Sequence, residues 1–515
     1  MLRPVNSYKH KIVLAFMSLM MLTVLTGFDW PQFNQDAQHR GNNVHEVNIN
    51  AGNVSQLAQL FKVSLPDYAD GPPVYLSSAS TISGTRSVLF VTTISGHIVE
   101  LDALTGQQIW AHQYGPNGCV SPSGVCLTTS SPALDPNRQY VYSYGLDGFV
   151  HKYAVYDGSE TLTNGWPETA TLKDNVEKGS SPLSVATARN GSSYLYVTNS
   201  GYFGDGGNYQ GHLTAINLLD GSQHVFNTLC SNQTFHFTLA NNPCPEVMSG
   251  VWARSGVVYS PATDRIYLAT GNAAYNPALH DWGDTVLALH PDGTGVAGDP
   301  VDTYTPADYQ SLQNNDLDLG STNVAILPVP VTSTLQHVAV QSGKDGVLRL
   351  LNLDNLSGQG GPGHTGGEVL SPLSLVPSGE VLTAPAVWVN PVDGRTWIYV
   401  AINSGLAAVQ LTFTPENTPT LSEIWHKTRV GTSPIIANNI LYLASSNYLQ
   451  ALDPVTGSPS GPLWHTTLIG GVHWQSPILA NGVLYVADNS GALLAFSLGG
   501  LPPVIFSAYL PLVMR

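Results

Sequence analysis

Four short segments in the middle of the chain carry side chains that could do chemistry. They contain Trp252 in Gly-Val-Trp-Ala-Arg, Asn272 in Ala-Thr-Gly-Asn, Asp318 in Asn-Asp-Leu-Asp-Leu-Gly and Lys344 in Gly-Lys-Asp-Gly. Carboxylate and amide oxygens bind hard cations, a carboxylate is also a general base, and an indole ring stacks on other flat rings. Each segment also has an ordinary structural explanation, because Asn, Asp and Gly form turns and Trp packs in cores. The residue types alone leave both interpretations open.

Several other kinds of site are absent from the sequence. It contains no His-Glu-x-x-His zinc motif, no phosphate-binding Walker loop and no Gly-x-Ser-x-Gly nucleophile elbow. The glycine-rich stretches 201–211 and 358–367 are predicted to be loops. The formal net charge of −16 argues against a nucleic-acid partner, because phosphate binding needs a basic surface. The expected partner is an unidentified small molecule or protein.

Composition and periodicity favour a β protein built from a repeated unit. The chain has 50 glycines, 35 prolines and only 10% charged residues, and it shows no long helical periodicity outside its N-terminus. The segment from Ser433 to Leu443 recurs with small changes from Ser476 to Val486. Each copy predicts a four-stranded antiparallel meander, and a repeat of about 40 to 50 residues is typical of propellers.

Eight copies of the unit are identified by their second strands. A four-stranded sheet cannot bury both of its faces alone, so the copies are predicted to form a ring, an all-β, eight-bladed β-propeller. The last copy supplies only three strands before Leu498, and segment 57–65 is predicted to add the fourth and close the ring. The eight second strands are predicted at 89–91, 140–142, 194–197, 266–268, 338–340, 398–400, 441–443 and 484–486.

Both ends of the chain are predicted to lie outside the propeller, which spans residues 28–498. Residues 1–27 have basic side chains before an apolar run, as in a secretory signal peptide, although an uncleaved anchor has the same pattern. The protein is therefore expected to be secreted, to the periplasm, the cell surface or the medium, without a transmembrane span after cleavage. The tail 499–515 is apolar, short and interrupted by proline, and its role stays open.

The four cysteines fall into two near neighbours along the sequence. An even number of cysteines in an exported protein predicts two local disulfides, Cys119 with Cys126 and Cys230 with Cys244. Four free buried thiols are the alternative. No Cys-x-x-Cys or Cys/His spacing indicates a zinc site.

The repeat resembles the pyrroloquinoline quinone (PQQ) repeat. The tryptophan-docking motif of that repeat, Ala-x-Asp-x-x-Thr-Gly-x-x-x-Trp, is similar to the segment 100–110, and Trp110, Trp425 and Trp464 stand at fourth-strand positions. The segment that starts at Trp30 also looks like the beginning of such propellers. The resemblance covers about 30–498 and implies a quinoprotein alcohol dehydrogenase-like fold, which includes the polyvinyl-alcohol type. Non-enzymatic scaffolds share this fold, so the fold does not decide the function.

The resemblance also implies roles for the four central segments. In quinoprotein alcohol dehydrogenases a carboxylate removes the alcohol proton while Ca²⁺ polarises the quinone. By this resemblance Asp318 is the catalytic base and a metal ligand, and Asn272 is a calcium ligand. Trp252 stacks on PQQ and Lys344 contacts its oxygens. The four segments occur in the family's order and with approximately its spacing.

Two departures from the family pattern count against an active enzyme. The calcium-binding Glu expected after the third blade's second strand is missing, and Asp205 is the candidate metal ligand in its place, with Asn208 as the other possibility. The adjacent cysteines that cover the cofactor are also missing, and no Cys-x-x-Cys-His segment predicts a haem. The first hypothesis is an exported ligand- or partner-binding scaffold with a degenerate quinoprotein site. The alternative is a PQQ- and Ca²⁺-dependent alcohol dehydrogenase with altered metal ligands.

Overall fold

The computed structural model describes residues 29–115 and 119–503, and their strands form eight antiparallel sheets that are the blades of a ring. The first strands of neighbouring blades contact one another, so they are the innermost strands. Each blade contains one of the eight predicted second strands. The predicted all-β, eight-bladed propeller is therefore confirmed. The signal-like residues 1–27 and the tail after Pro503 lie outside the described residues.

The blades follow the order of the chain, and the last takes one of its four strands from the N-terminal part. Blades one to four contain Val74–Thr81, Gly84–Thr92, His97–Asp102 and Gln108–Gln113; Ala133–Leu134, Tyr140–Tyr144, Phe149–Ala154 and Glu168–Thr169; Ser184–Thr187, Ser193–Gly201, His212–Asn217 and Gln223–Asn227; and Val258–Ser260, Arg265–Ala269, Val286–Leu289 and Asp302–Tyr304. Blades five to eight contain Ala325–Leu327, Val338–Gln341, Val347–Asn352 and Leu373–Ser374; Ala386–Val389, Thr396–Ile402, Gly405–Phe413 and Pro419–Lys427; Ile435–Ala437, Ile440–Ser445, Tyr448–Leu452 and Trp464–Thr466; and Ile478–Ala480, Val483–Asp488, Ala492–Leu498 and Leu57–Ser64.

A few short elements lie beside the blades. Strand Glu177–Gly179 pairs with the end of the second strand of blade three, and Asn42–Asn43 runs parallel to the first strand of blade seven. The remaining elements are the hairpins Val120–Ser121 with Gly124–Val125 and Tyr275–Asn276 with Asp281–Trp282, the α-helix Tyr309–Asn314, and the 3₁₀ turns Val54–Gln56, Pro277–Leu279 and Leu319–Ser321.

The second strands are largely apolar at their centres because each lies between two packed blades. Every residue of Thr396–Ile402 and of Val483–Asp488 is buried. The fourth strand Gln108–Gln113, in contrast, has no fully buried residue. A strand that is buried on both faces appears in the sequence as a continuous apolar run, and these runs made the blades countable.

The tryptophan-docking residues hold neighbouring blades together. The indole of Trp110 in blade one covers Gly158 of blade two, where an added Cβ would lie 2.6 Å from the ring. Trp425 covers Gly457 of the next blade in the same way, and its indole nitrogen donates a hydrogen bond to Pro454. Glycine is required at both positions because the ring occupies the space of a side chain.

The two ends of the chain close the ring within blade eight. Strand Leu57–Ser64 pairs in antiparallel register with Ala492–Leu498, as predicted for segment 57–65. Trp464 of blade seven fixes the start of this strand, because its indole nitrogen donates to the Leu57 carbonyl at 2.8 Å. A ring closed in this way has no long unpaired sheet edge.

The N-terminal segment 30–43 crosses one end of the central channel. It hydrogen-bonds to the first strands of every blade except the fifth. These bonds join Trp30 to Tyr75, Pro31 to Leu134, Gln32 to Val185, Ala37 to Tyr259, Arg40 to Val387, Gly41 to Ile436 and Asn43 to Leu479. The segment therefore closes the channel at this end.

Both predicted disulfides are formed. Cys119 pairs with Cys126 across the small hairpin at 120–125, and Cys230 pairs with Cys244. This confirms the pairing of near neighbours, and it excludes the alternative of free thiols. Within the described ranges, no helix is long and apolar enough to cross a membrane.

Candidate functional site

The four segments identified in the sequence meet at one place beside blades four and five. Trp252 precedes the first strand of blade four, and Asn272 follows the second strand of that blade. Asp318 precedes the first strand of blade five, and Lys344 lies in the turn between the second and third strands. In an antiparallel blade, the connection into the first strand and the turn after the second strand lie at the same end, which brings these four residues together.

Asn272 is the centre of this cluster. It is 8% exposed, and its backbone N–H donates to Oδ1 of Asp318 at 2.7 Å. Its side-chain amide donates to Oδ1 of Asp316 at 3.0 Å. The amide oxygen accepts no hydrogen bond from the described residues, so it is available to a ligand.

Lys344 joins the two carboxylates from the other side. Its Nζ lies 2.6 Å from Oδ2 of Asp318 and 3.1 Å from Oδ1 of Asp316. The same ammonium lies 5.6 Å from the centroid of the Trp252 ring, within range of a cation–π contact. Asp316 itself is largely exposed and has a left-handed backbone, with φ of 55°.

Glycine at position 271 allows the close approach of these groups. A Cβ there would lie 2.7 Å from Oδ1 of Asp318 and 3.2 Å from the indole nitrogen of Trp252. Any side chain at this position would displace Asp318 or Trp252 from the cluster. The Ala-Thr-Gly-Asn motif therefore has a steric reason: Gly271 lets the Asp318 carboxylate reach the backbone of Asn272.

Asp284 supports the cluster from below. Its Oδ1 accepts a hydrogen bond from the backbone N–H of Leu319 at 3.0 Å, which fixes the turn that carries Asp318. The side chain is 1% exposed, and its other oxygen has no donor among the described residues. Burial raises the pKa of the Asp284 carboxyl to about 8, which favours its protonated form.

Opposing effects set the protonation of the central pair. Burial raises the pKa of the Asp318 carboxyl, and the Lys344 ammonium beside it limits that rise. For Lys344, burial alone would lower the pKa, but the Asp318 and Asp316 carboxylates outweigh it and the net shift is upward. The 2.6 Å contact holds the two groups together, and burial makes the Asp318 carboxylate more basic than an ordinary aspartate.

Asp205 lies apart from the four. It sits in the exposed loop between the second and third strands of blade three, and its Oδ1 accepts a hydrogen bond from the Tyr209 hydroxyl at 2.6 Å. The buried Tyr209 ring packs on Gly201 and is close enough to Asp318 for that charge to raise its pKa further. No direct contact joins Asp205 to Asn272 or Asp318. Its role as a metal ligand stays a prediction.

The donor set of the cluster suits a hard cation. Asp316, Asp318 and Asn272 bring two carboxylates and one amide group into direct hydrogen-bond contact with one another. Hard cations such as Ca²⁺ prefer such oxygen ligands. The partly exposed indole of Trp252 lies beside the Lys344 ammonium and offers a face for a flat ring. The residues present therefore fit a cation and a planar cofactor side by side.

Two supporting residues were missed in the sequence. Asp284 gave no signal beyond an ordinary Gly-Asp turn, and its importance comes from a hydrogen bond to another blade. Asp316 stood within the quoted Asn-Asp-Leu-Asp motif but received no role. The motif itself contained the signal, since two acidic residues separated by one position in a turn can bind one cation.

Comparisons with known proteins agree with the fold. No family model matches the chain. The dehydrogenase subunit of the quinone alcohol dehydrogenase of Gluconobacter oxydans is 21% identical over 352 residues, which is 63% of this chain and 43% of that protein. The match thus spans less than half the length of this relative.

Solved structures give the same result over nearly the whole chain. A europium-containing methanol dehydrogenase has a TM-score of 0.64 at 14% identity, covering 93% of this chain and 100% of its own. The quinohemoprotein alcohol dehydrogenases of Comamonas testosteroni and Pseudomonas putida have TM-scores of 0.63 and 0.61 at 15% and 14% identity. They cover 94% of this chain each, and 82% and 83% of their own. The resemblance to PQQ-repeat propellers is confirmed, and at this identity it shows the fold.

Proposed function

We propose that this protein binds a PQQ-type quinone together with a hard cation and oxidises an alcohol outside the cytoplasm. The observation that carries the proposal is the convergence of Trp252, Asn272, Asp318 and Lys344 in one cluster. Roles in turns or in core packing would not require these four side chains to lie in one cluster. The two disulfides support an oxidising compartment.

Asp318 is the base in this proposal. Its carboxylate is buried and more basic than usual, so it is suited to accept the hydroxyl proton of an alcohol. The backbone N–H of Asn272 and the ammonium of Lys344 hold its two oxygens in place. Asp284 fixes the backbone turn beneath it. When bound, the quinone supplies the acceptor for the two electrons of the alcohol.

Asn272, Asp316 and Asp318 would hold the cation. Ca²⁺ is the first candidate, as the sequence resemblance implies. A trivalent ion is the second, because two carboxylates beside each other attract a higher charge more strongly and one neighbour of the same fold is named as europium-containing. The sequence has no Cys-x-x-Cys-His segment, and its four cysteines form two disulfides. We therefore expect no covalently bound haem. Electrons would then pass to an external acceptor.

A binding scaffold with no turnover is the second candidate. The observation in its favour is blade three, where the family's carboxylate is missing and Asp205 is exposed and bonded to Tyr209. With fewer protein ligands the cation would bind more weakly. The cluster would still bind a ligand in the same place.

Reconstitution separates the two candidates. The purified protein is titrated with PQQ in the presence of Ca²⁺ or Eu³⁺, and dye-linked oxidation of a series of primary alcohols is followed. We expect Asp318→Asn to keep PQQ binding and to lose about 10² to 10⁴ in rate. Asp157→Asn, in an exposed turn of blade two, is the matched control with an unchanged rate.

Each result of this experiment has a clear meaning. Binding of PQQ without oxidation of any alcohol would favour the scaffold. Failure to bind PQQ at about 30 µM with either ion, which corresponds to a free energy weaker than about −6 kcal/mol, would reject the quinone site altogether.

A further inference from the structure

A second group of basic side chains lies on the other side of Trp252. Arg254 is 3% exposed, and its guanidinium donates to the Thr129 carbonyl at 3.0 Å, the Thr129 hydroxyl at 3.3 Å and the Trp252 carbonyl at 3.3 Å. It also donates to the carbonyl of Ser180. Lys178 donates to the same Thr129 hydroxyl at 3.1 Å. One neutral oxygen therefore bridges the two cations.

This pair lies at the central axis of the ring. Arg254 belongs to blade four, yet its guanidinium lies 5.0 Å from the centroid of the Trp474 ring, which leads into blade eight. Blades four and eight are opposite each other in a ring of eight. A side chain of one can reach the other only across the channel. Arg254 and Lys178 therefore face the channel.

The pair lacks the carboxylate partners that other buried cations have. Lys173 lies 2.7 Å from Glu177, and Arg349 pairs with Asp345. In the described part of the chain, neither Arg254 nor Lys178 forms an ion pair. Asp70 acts on both from a distance, but its carboxylate is engaged by Nδ1 of His473 at 2.9 Å.

Two further observations indicate an incomplete site. Nε of Arg254 is buried and has no hydrogen-bond partner among the described residues. Burial, and next the Arg254 charge, lower the pKa of Lys178 to about 7. Two adjacent cations without an anion are costly to bury, and an anion between them would remove much of that cost.

We infer that Arg254 and Lys178 form a channel subsite that binds a carboxylate group of a ligand. A guanidinium offers paired donors that match the two oxygens of a carboxylate, and the lysine adds a second charge. The hydroxyl of Thr129 and the ring of Trp474 complete the wall. The carbonyl of Trp252 links the subsite to the cluster described above.

The carboxylate could belong to the quinone itself or to a separate small acid, and both share the recognised group. The first source rests on the proposed function, while the second does not. Three probes distinguish them: PQQ, its trimethyl ester, in which the carboxylates are masked, and citrate. Their affinities are measured by isothermal titration calorimetry on the full chain.

The test variants are Arg254→Gln and Lys178→Gln, with Arg254→Lys as a charge-preserving variant. Arg395→Gln is the matched control, because Arg395 is largely exposed and lies outside the channel on blade six. Circular dichroism and thermal unfolding verify the fold of each. We expect the two Gln variants to bind PQQ at least about tenfold more weakly, and the ester to bind all proteins equally. Arg254→Lys should bind PQQ more tightly than Arg254→Gln but more weakly than the wild type, because lysine keeps the charge and lacks the paired donors.

The outcomes separate this inference from the proposed function. Citrate binding that depends on Arg254, without PQQ binding, would support the subsite and reject the quinone function. Equal PQQ affinity in the wild type and in folded Gln variants would overturn the subsite and leave the function intact. A wild type that binds none of the probes would overturn both.

Discussion

The two basic centres on either side of Trp252 differ in how their charge is balanced. Lys344 contacts two carboxylates, at 2.6 and 3.1 Å, so its positive charge is fully balanced within the protein. Arg254 and Lys178 contact only carbonyl and hydroxyl oxygens and leave a guanidinium nitrogen without a partner. The first arrangement is complete as a protein structure, and a ligand must compete with it. The second is incomplete, and a ligand would complete it.

Removal of the paired cation tests the first half of this comparison. Lys344→Met leaves Asp318 and Asp316 facing each other without a counter-ion. We expect a loss of about 3 kcal/mol in the free energy of unfolding, because breaking a buried pair strands the remaining charge. Chemical denaturation at pH 7.5 measures it.

Ca²⁺ should then restore part of the stability that Lys344→Met removes. The increase in melting temperature on adding Ca²⁺ should be larger for the variant than for the wild type, since the cation takes the place of the ammonium. Equal stability of Lys344→Met and wild type without Ca²⁺ would show that the carboxylates need no counter-ion.

Removal of the unpaired cation Lys178 should increase the free energy of unfolding, the opposite of the effect at Lys344. Among the described residues, the Lys178 side chain donates one hydrogen bond, to Thr129, and it carries a charge that burial disfavours. We expect Lys178→Met to raise the free energy of unfolding by about 1 kcal/mol at pH 6, after allowance for its partial exposure. The control is Lys62→Met, in the fourth strand of blade eight. A destabilised Lys178→Met would mean that the lysine already has an effective partner.

The smallest expected effect is the pH dependence of stability that comes from Lys178. The pKa of Lys178 in the folded chain is about 7, below its ordinary value, so the unfolded chain binds the extra proton between pH 7 and about 10. The cost of this group to stability therefore disappears as pH rises from 7 to 10.

Carboxylate binding should follow the opposite course. The groups that face Lys178 are Arg254, which stays charged, and Asp70. As Lys178 loses its proton, we expect PQQ affinity to fall about three- to tenfold between pH 6 and pH 8.5. Calorimetry at both values measures it, and in Lys178→Gln the fall should vanish. An equal fall in that variant would assign the titration to another group.

The sequence was most informative where structure depends on local pattern. The second strands are continuous apolar runs, and the docking of Trp110 on Gly158 follows from a motif within one repeat. Asn272, Asp318 and Lys344 were found for a similar reason, because each lies in a short turn next to a recognisable strand. Asp205 had no such anchor, since its loop has no motif that fixes its direction.

The axial cations could not be foreseen in the same way. Arg254 meets Thr129, Ser180 and Trp474, which belong to blades two, three and eight. These residues come together only when the ring closes, and nothing in the local sequence reports distances across the channel. Arg254 follows Trp252 by two positions, so the sequence indicated that it lies near the cluster. The sequence did not indicate which residues of other blades it contacts.

The N-terminal segment that crosses the channel sets the order in which the molecule can be completed. Its partners include Leu479 in the last blade, and the neighbouring strand Leu57–Ser64 needs Ala492–Leu498. The part of the chain that is synthesised first therefore waits for the part that is synthesised last. Until then, blade eight presents an open edge that can pair with other chains. Intermediates with seven blades are thus the species in which aggregation competes with folding.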